Sequence, residues 1–140
     1  MTLEILLVED NPADAYLVKH ALKRWKTPYR LHAVDTAEDA LDFINRRNGH
    51  ANSPTPHLAL VDINLPKEPG FTVLEAIKGD PRLRGIAVVV MSSSVSRADL
   101  SRAVELHTNA YIPKSWEWAE IERIFESLEA FWRLDVRFSV

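Results

Sequence analysis

Five polar residues that could bind a cation and a phosphoryl group stand at or just beyond the ends of four short apolar runs. They are Glu9, Asp10, Asp62, Ser92 and Lys114. Carboxylate oxygens are ligands that Mg²⁺ prefers. A hydroxyl can donate a hydrogen bond to a phosphoryl oxygen, and an ammonium group binds phosphate as a point charge. Brought together, these groups would form a cation site beside a phosphate site, around one nucleophilic carboxylate.

The apolar runs indicate how residues so far apart in the chain could meet. Residues 5–8, 58–61, 86–91 and 110–112 form short apolar segments separated by helical patterns. Such runs are typical of buried strands in a parallel sheet. Ligands of these sheets bind outside the carboxyl ends of the strands. We therefore expect the three acids, the hydroxyl and the ammonium group to converge on one edge of the sheet.

Five predicted strands alternate with five predicted helices. The strands are expected at 3–8, 29–34, 57–61, 86–91 and 110–112, and the helices at 12–25, after Thr36, after Gly70, at 97–106 and at 116–132. Residues 48–56 are polar and rich in turn formers, which predicts an exposed loop. With right-handed crossovers, this alternation predicts an α/β fold with a flavodoxin-like, doubly wound, five-stranded parallel sheet in the order 2-1-3-4-5.

The length and composition exclude several classes of protein. The 140 residues suit one domain, which we assign to residues 1–132, followed by a C-terminal tail at 133–140. The net charge of −3 and the lack of a basic cluster argue against nucleic-acid binding. The absence of cysteine excludes disulfides and thiolate zinc sites. Without a membrane-length apolar stretch or a basic N-terminal region, the chain is predicted to be a cytoplasmic domain that spans no membrane.

The acids Glu9, Asp10 and Asp62 would repel one another if they met at adjacent strand ends. Two like charges about 5 Å apart cost roughly 3 kcal/mol at an effective dielectric constant of 20. Each acid alone could be a solvated side chain or a turn cap. Together they favour a bound cation, and an all-oxygen ligand set without cysteine favours Mg²⁺ over zinc.

These residues together resemble the receiver domain of two-component response regulators. The resemblance rests on the Glu9-Asp10 pair, the segment 62–66 (DINLP) with Gly70, Ser92 and Lys114, and it extends over nearly the whole chain. Ser92 follows Asp62 by 30 residues and Lys114 follows it by 52, as in that family. The resemblance implies that Asp62 is the phosphoacceptor. It would attack a phosphohistidine on a sensor histidine kinase and become a 4-aspartylphosphate.

The resemblance also implies roles for the surrounding residues. Asp10, Asp62 and the backbone carbonyl of Asn64 would hold Mg²⁺, and Glu9 would reach the ion through water. Ser92 and Lys114 would bind oxygens of the acyl phosphate. Ser92 and Tyr111 would form a switch, in which the hydroxyl moves toward the phosphoryl group and the aromatic ring then rotates inward.

A second resemblance concerns the partners. Residues 79–83 (GDPRL), the long loop 48–56 and the Phe131-Trp132 end resemble single-domain regulators that are paired with bacterial phytochromes. This implies a phytochrome as the sensor histidine kinase. It also implies a homodimer formed by the fourth helix, the fifth strand, the fifth helix and the tail.

The sequence departs from the family pattern after the fifth strand. Receiver domains usually have Lys followed by a cis proline, whereas here the order is Pro113-Lys114-Ser115. A cis bond after Lys114 would cost roughly 3 kcal/mol, so the loop before the fifth helix is expected to differ in shape.

We expect a signalling relay with slow self-dephosphorylation and not an enzyme with a separate substrate. The rivals are a Mg²⁺-dependent phosphohydrolase with an aspartate nucleophile, and a receiver-like binding module without phosphorylation.

Overall fold

A computed structural model describes residues 2–93, 96–114 and 116–133. One sheet of five parallel strands has the order β2-β1-β3-β4-β5. Its strands are β1 (Leu3–Val8), β2 (Tyr29–Val34), β3 (Leu58–Asp62), β4 (Ala87–Ser92) and β5 (Ala110–Pro113). The helices are α1 (Pro12–Leu22), α2 (Ala37–Asn45), α3 (Phe71–Gly79), α4 (Arg97–Glu105) and α5 (Trp118–Phe131). The predicted fold class and strand order are confirmed.

Helices cover both faces of the sheet. Successive side chains of a strand point to opposite faces, so Leu3, Ile5 and Leu7 of β1 pack in the core layer formed by α1 and α5. Leu6 and Val8 belong to the second layer, which α2, α3 and α4 cover. Because neither face of the central strands meets water, every residue of β1, β3 and β4 is buried. This explains why residues 5–8, 58–61 and 87–91 of these strands appear in the sequence as unbroken apolar runs.

The strand register brings the polar ends of the central strands together. Val8 pairs with Val61, Asp62 with Met91, and Ser92 with Pro113. β3 and β4 each extend one residue beyond the predicted end, so Asp62 and Ser92 are the last residues of their strands. Glu9 and Lys114 come directly after β1 and β5. The carboxyl ends therefore meet at one edge of the sheet, as the sequence predicts.

The first helix is shorter than predicted. It ends at Leu22 and not at Trp25, because the chain tightens into i→i+3 hydrogen bonds from Arg24 to Ala21 (3.2 Å) and from Trp25 to Leu22 (3.0 Å). Trp25 is buried, and its indole Nε1–H donates to the carbonyl oxygen of Phe125 at 2.9 Å. The apolar pattern does continue to Trp25, which is buried. The helix nevertheless ends about one turn earlier, where the chain turns so that Trp25 can bond to Phe125 of α5. α5 likewise starts at Trp118 and not at 116, and ends at Phe131 and not at 132.

The long loop before β3 folds back onto α2. The hydroxyl of Ser53 donates to the carbonyl oxygen of Phe43 at 2.7 Å, and His50 Nε2 lies 2.7 Å from Asp39 Oδ1. These contacts tie the loop to the helix.

Parts of the sequence predictions fall outside the described residues. These parts are the tail from 134 to 140 and the peptide bond between Lys114 and position 115. Among the residues that the structure describes, no helix is both long and apolar enough to cross a membrane.

Candidate functional site

Three carboxylates meet where β1 and β3 end. Glu9, Asp10 and Asp62 each offer an oxygen within 4.8 Å of the others. Glu9 and Asp62 are buried, whereas Asp10 is exposed at the mouth. Oxygens that share one Mg²⁺ lie at most about 4.2 Å apart, twice the metal–oxygen bond length. The ligand atoms and the spacing therefore fit a hard divalent cation after small side-chain adjustments.

Lys114 inserts its ammonium group among these acids. Its Nζ lies 2.7 Å from Asp62 Oδ2 and 3.0 Å from Asp14 Oδ2, and it also forms an ion pair with Glu9 Oε1. Only 5% of the Lys114 side chain is exposed. An ammonium group has three N–H donors. Two of them donate to Asp62 and Asp14, and Glu9 adds an ion pair to the same group. In this conformation the lysine neutralises part of the charge that a metal ion would neutralise.

The start of α1 arranges the entrance to the site. Asn11 caps the helix, and its Oδ1 accepts the N–H groups of Ala13 (2.9 Å) and Asp14 (3.1 Å). The backbone N–H of Asn11 donates to Glu9 Oε2 at 3.1 Å. The same turn therefore orients Glu9 inward and presents Asp14 to Lys114. Sequence reasoning missed Asp14, because an acid in the first turn of a helix is usually explained by the helix dipole.

Burial and charge shift the protonation of this cluster. Burial, followed by hydrogen bonding and repulsion from Asp62, raises the pKa of Glu9 to about 7, although Lys114 opposes the change. Burial alone would lower the pKa of Lys114, but its hydrogen bonds to Asp62, Glu9 and Asp14 outweigh that effect and hold the pKa above its ordinary value. Lys114 therefore keeps its positive charge at neutral pH, and the raised pKa makes Glu9 easier to protonate than an ordinary glutamate.

Asn64 links the phosphoacceptor candidate to the end of β4. Its backbone N–H donates to Asp62 Oδ1 at 2.7 Å, and its side-chain Oδ1 accepts the hydroxyl of Ser92 at 2.9 Å. The backbone N–H of Ser93 donates to the same Oδ1 at 2.9 Å. Ser92 is fully buried, and its carbonyl oxygen accepts the N–H of Lys114 at 2.6 Å. The predicted residues Asp62, Asn64, Ser92 and Lys114 thus form one connected group.

The comparisons with known proteins agree with this geometry. Residues 5–126 match the family model of the response regulator receiver domain. The chain belongs to this family. Response regulator Rcp1 of Synechocystis sp. is 38% identical over 128 residues, which cover 91% of this chain and 87% of Rcp1.

Solved structures give the same result for this receiver domain. The phosphorylated cyanobacterial phytochrome response regulator RcpA has 37% identity and a TM-score of 0.89, with 96% of each chain covered. The Mn²⁺-bound form of Rcp1 has 37% identity and a TM-score of 0.87, covering 95% of this chain and 96% of that one. The chain is therefore similar to phytochrome response regulators over almost its whole length.

Two further residues that the sequence analysis names are Tyr111 and Gly70. Tyr111 of β5 pairs with Val90 and packs, half-buried, against the core layer on the α4 side. Gly70, just before α3, lies so close to the end of β3 that a Cβ atom there would come 2.2 Å from the carbonyl oxygen of Asp62. Glycine is needed at this position because of the close approach, and its backbone conformation is ordinary.

Proposed function

We propose that this receiver domain accepts a phosphoryl group on Asp62 from a phosphohistidine of a sensor histidine kinase. The observation that carries the proposal is the buried Asp62 carboxylate between a cluster of acids that suits a cation and the ammonium group of Lys114. In the transfer, one Asp62 oxygen forms a bond to phosphorus as the phosphorus–nitrogen bond breaks. The imidazole leaves with the electron pair and takes up a proton. Catalysis of this kind depends on positioning and charge neutralisation.

We propose Mg²⁺ as the cation of this site. Asp10, Asp62 and the backbone carbonyl of Asn64 would hold it, and Glu9 would reach it through water. When bound, the ion neutralises charge between the incoming phosphoryl group and the acids. The Mn²⁺-bound structure of Rcp1 supports a divalent cation in a related protein, and the oxygen ligands favour Mg²⁺.

Lys114 and Ser92 would hold the phosphoryl oxygens. Nζ of Lys114 already lies against Asp62, so a short shift of the ammonium would bring it to a phosphoryl oxygen. Ser92 donates to Asn64. Rotation of its hydroxyl toward the phosphoryl group would break this bond, while Asn64 Oδ1 keeps the N–H of Ser93. Tyr111 would follow by rotating inward, which completes the proposed switch. The added charge would thus bias a loop and a strand between two arrangements.

The partners in this proposal follow from the relatives. A phytochrome with histidine kinase activity would supply the phosphoryl group, as the name of RcpA suggests for that protein. The protein would act in the cytoplasm, with residues 1–132 as the receiver and 133–140 as a tail. It would form a homodimer through α4, β5, α5 and that tail.

Labelling with acetyl phosphate and Mg²⁺ tests the proposed phosphoacceptor. The wild-type protein should gain one phosphoryl group, measured by intact mass, and chelation of the metal should prevent the reaction. Asp62→Asn should abolish labelling because the nucleophilic oxygen is lost. Asp80→Asn is the matched control, since Asp80 lies between α3 and β4 at the opposite edge of the sheet. Unchanged labelling of Asp62→Asn would reject the assignment, and repeated release of phosphate from a small ester would favour a phosphohydrolase.

A further inference from the structure

Asp14 touches the candidate site although neither the family resemblance nor the proposed phosphotransfer uses it. Its Oδ2 lies 3.0 Å from Nζ of Lys114, a residue 100 positions away. The Asp14 side chain is 24% exposed, against 3% for Asp62 and none of Glu9. Asp14 therefore holds Lys114 from the rim of the pocket, while the other two partners hold it from the floor.

The three partners of Lys114 differ in what the proposed reaction demands of them. Glu9 and Asp62 belong to the cluster that would receive the cation, and Asp62 would also bond to phosphorus. A cation bound there would compete with Nζ for both carboxylates and would repel it. Phosphorylation would also remove charge from the Asp62 carboxylate. Asp14 lies outside that cluster, so its attraction for Nζ would persist through both events.

We propose that Asp14 is a positioning residue, which keeps the ammonium group of Lys114 at the rim of the pocket when the cation and the phosphoryl group occupy its floor. The inference rests on the proposed function and adds a residue to it. Asp14 acts in two ways. It draws Nζ away from Glu9 and Asp62, which makes room for the cation. It also keeps Nζ within reach of the phosphoryl oxygens.

Asp99 of α4 provides the control for a purely structural role of Asp14. Asp99 is the third residue of α4, as Asp14 is of α1, and its N–H likewise bonds to the capping side chain, here Ser96 Oγ at 3.0 Å. Both acids complement the positive end of a helix dipole. Asp14 also contacts Lys114. Asp99→Ala should therefore lose about as much helix stability as Asp14→Ala. Urea unfolding of the two variants measures this.

Two measurements test the inference. One is the rate of phosphorylation by acetyl phosphate with Mg²⁺. The other is the Kd of Mn²⁺ in the absence of acetyl phosphate, measured by electron paramagnetic resonance. Asp14→Ala should slow phosphorylation about tenfold and weaken Mn²⁺ binding about tenfold, the size of one charge-assisted hydrogen bond. Asp14→Asn keeps an oxygen acceptor for Nζ and should recover part of both losses. Asp99→Ala should change neither quantity.

The decisive comparison is made without the lysine. In a Lys114→Ala background and at saturating Mg²⁺, Asp14→Ala should have no further effect on the phosphorylation rate. Its effect on the Kd of Mn²⁺ should fall to about threefold, which is the remaining direct attraction for the cation. Equal effects in both backgrounds would overturn the inference. If the wild-type protein takes up no phosphate, the proposed function fails, but the Mn²⁺ comparison still decides the role of Asp14. If Asp62 is labelled and Asp14→Ala behaves as the wild type, the inference alone fails.

Discussion

Gly70 shows how one missing side chain sets the position of the phosphoacceptor candidate. Its Cα faces the end of β3, and a Cβ atom there would approach the Asp62 carbonyl oxygen to 2.2 Å and Ile63 Cα to 2.8 Å. Both contacts are with backbone atoms, so no side-chain rotation can relieve them. The strand end that carries Asp62 is thus fixed by the loop that leads into α3.

Gly70→Ala should therefore destabilise the protein and displace Asp62. We expect a loss of about 1–3 kcal/mol in the free energy of unfolding, typical of overpacking, together with slower labelling by acetyl phosphate. Urea unfolding and intact mass measure the two effects. Gly85→Ala is the control, since nothing lies within 4 Å of its Cβ position. Wild-type stability and labelling in Gly70→Ala would contradict the close approach.

Glu4 determines part of the pH dependence of stability. This buried residue of β1 accepts Arg30 Nε at 2.9 Å, and its Oε1 lies 2.8 Å from His32 Nε2. The hydrogen bond from Arg30, followed by that from His32, lowers the pKa of Glu4 from 4.5 to about 2. Because the folded state binds the proton more weakly than the unfolded state, the stabilisation is complete above pH 4.5 and is lost as the pH falls through about 2.

Replacing the carboxylate tests this linkage. Glu4→Gln should lower the free energy of unfolding at pH 7, and the difference from the wild type should shrink between pH 4.5 and 2. Urea unfolding at several pH values measures it. A difference that is constant across this pH range would mean that Glu4 stabilises the fold without its charge.

At the scale of elements, the junction of α1 and α5 depends on contacts between residues about 100 positions apart. Glu129 of α5 accepts the backbone N–H groups of Lys26 and Thr27, both at 2.8 Å. Trp25 donates to Phe125 in the same region. These bonds satisfy the turn that leads from α1 into β2, and they explain why α1 stops before its apolar pattern does.

Glu129→Ala should cost about 1–3 kcal/mol of stability, because two backbone donors lose their acceptor. Glu129→Gln keeps an acceptor oxygen and should cost less. Urea unfolding measures both variants. The control is Glu126→Ala, at an exposed position of the same helix, which should stay within about 0.5 kcal/mol of the wild type. Equal losses at 126 and 129 would indicate that the bonds from Glu129 to the turn do not account for the effect.

At the scale of the whole molecule, exposed apolar side chains mark the face of the proposed homodimer. Leu100 and Val104 of α4 are 45% and 66% exposed, and Phe131 of α5 is 46% exposed. Residues four apart on a helix lie on one face, so Leu100 and Val104 form a short apolar ridge that a second copy could cover.

The proposed dimer predicts a single sedimenting species of twice the chain mass at tens of micromolar. Val104→Glu should shift this species to the monomer, because dimerisation would bury the added charge. Tyr16→Ser, on the exposed face of α1, should leave the dimer intact. A wild-type protein that sediments as a monomer under these conditions would contradict the proposal.

The sequence alone determined the order of the elements and the location of the candidate site. Apolar runs identify buried strands from local pattern, and parallel strands must place their carboxyl ends at one edge. The positions of Glu9, Asp10, Asp62, Ser92 and Lys114 therefore follow from chain order alone. Capping by Asn11, Thr36 and Ser96 fixes three helix starts in the same local way.

Only the tertiary structure decided which partner each polar group has. The contact of Asp14 with Lys114, the bonds of Glu129 to the turn after α1, and the bond of Trp25 to Phe125 each join residues about 100 positions apart. These contacts depend on how α1 and α5 are rotated and placed on the sheet. The packing of the whole core layer sets the rotation of each helix. The local apolar pattern predicts which face of a helix points inward, but it does not predict which polar atoms meet at the helix ends.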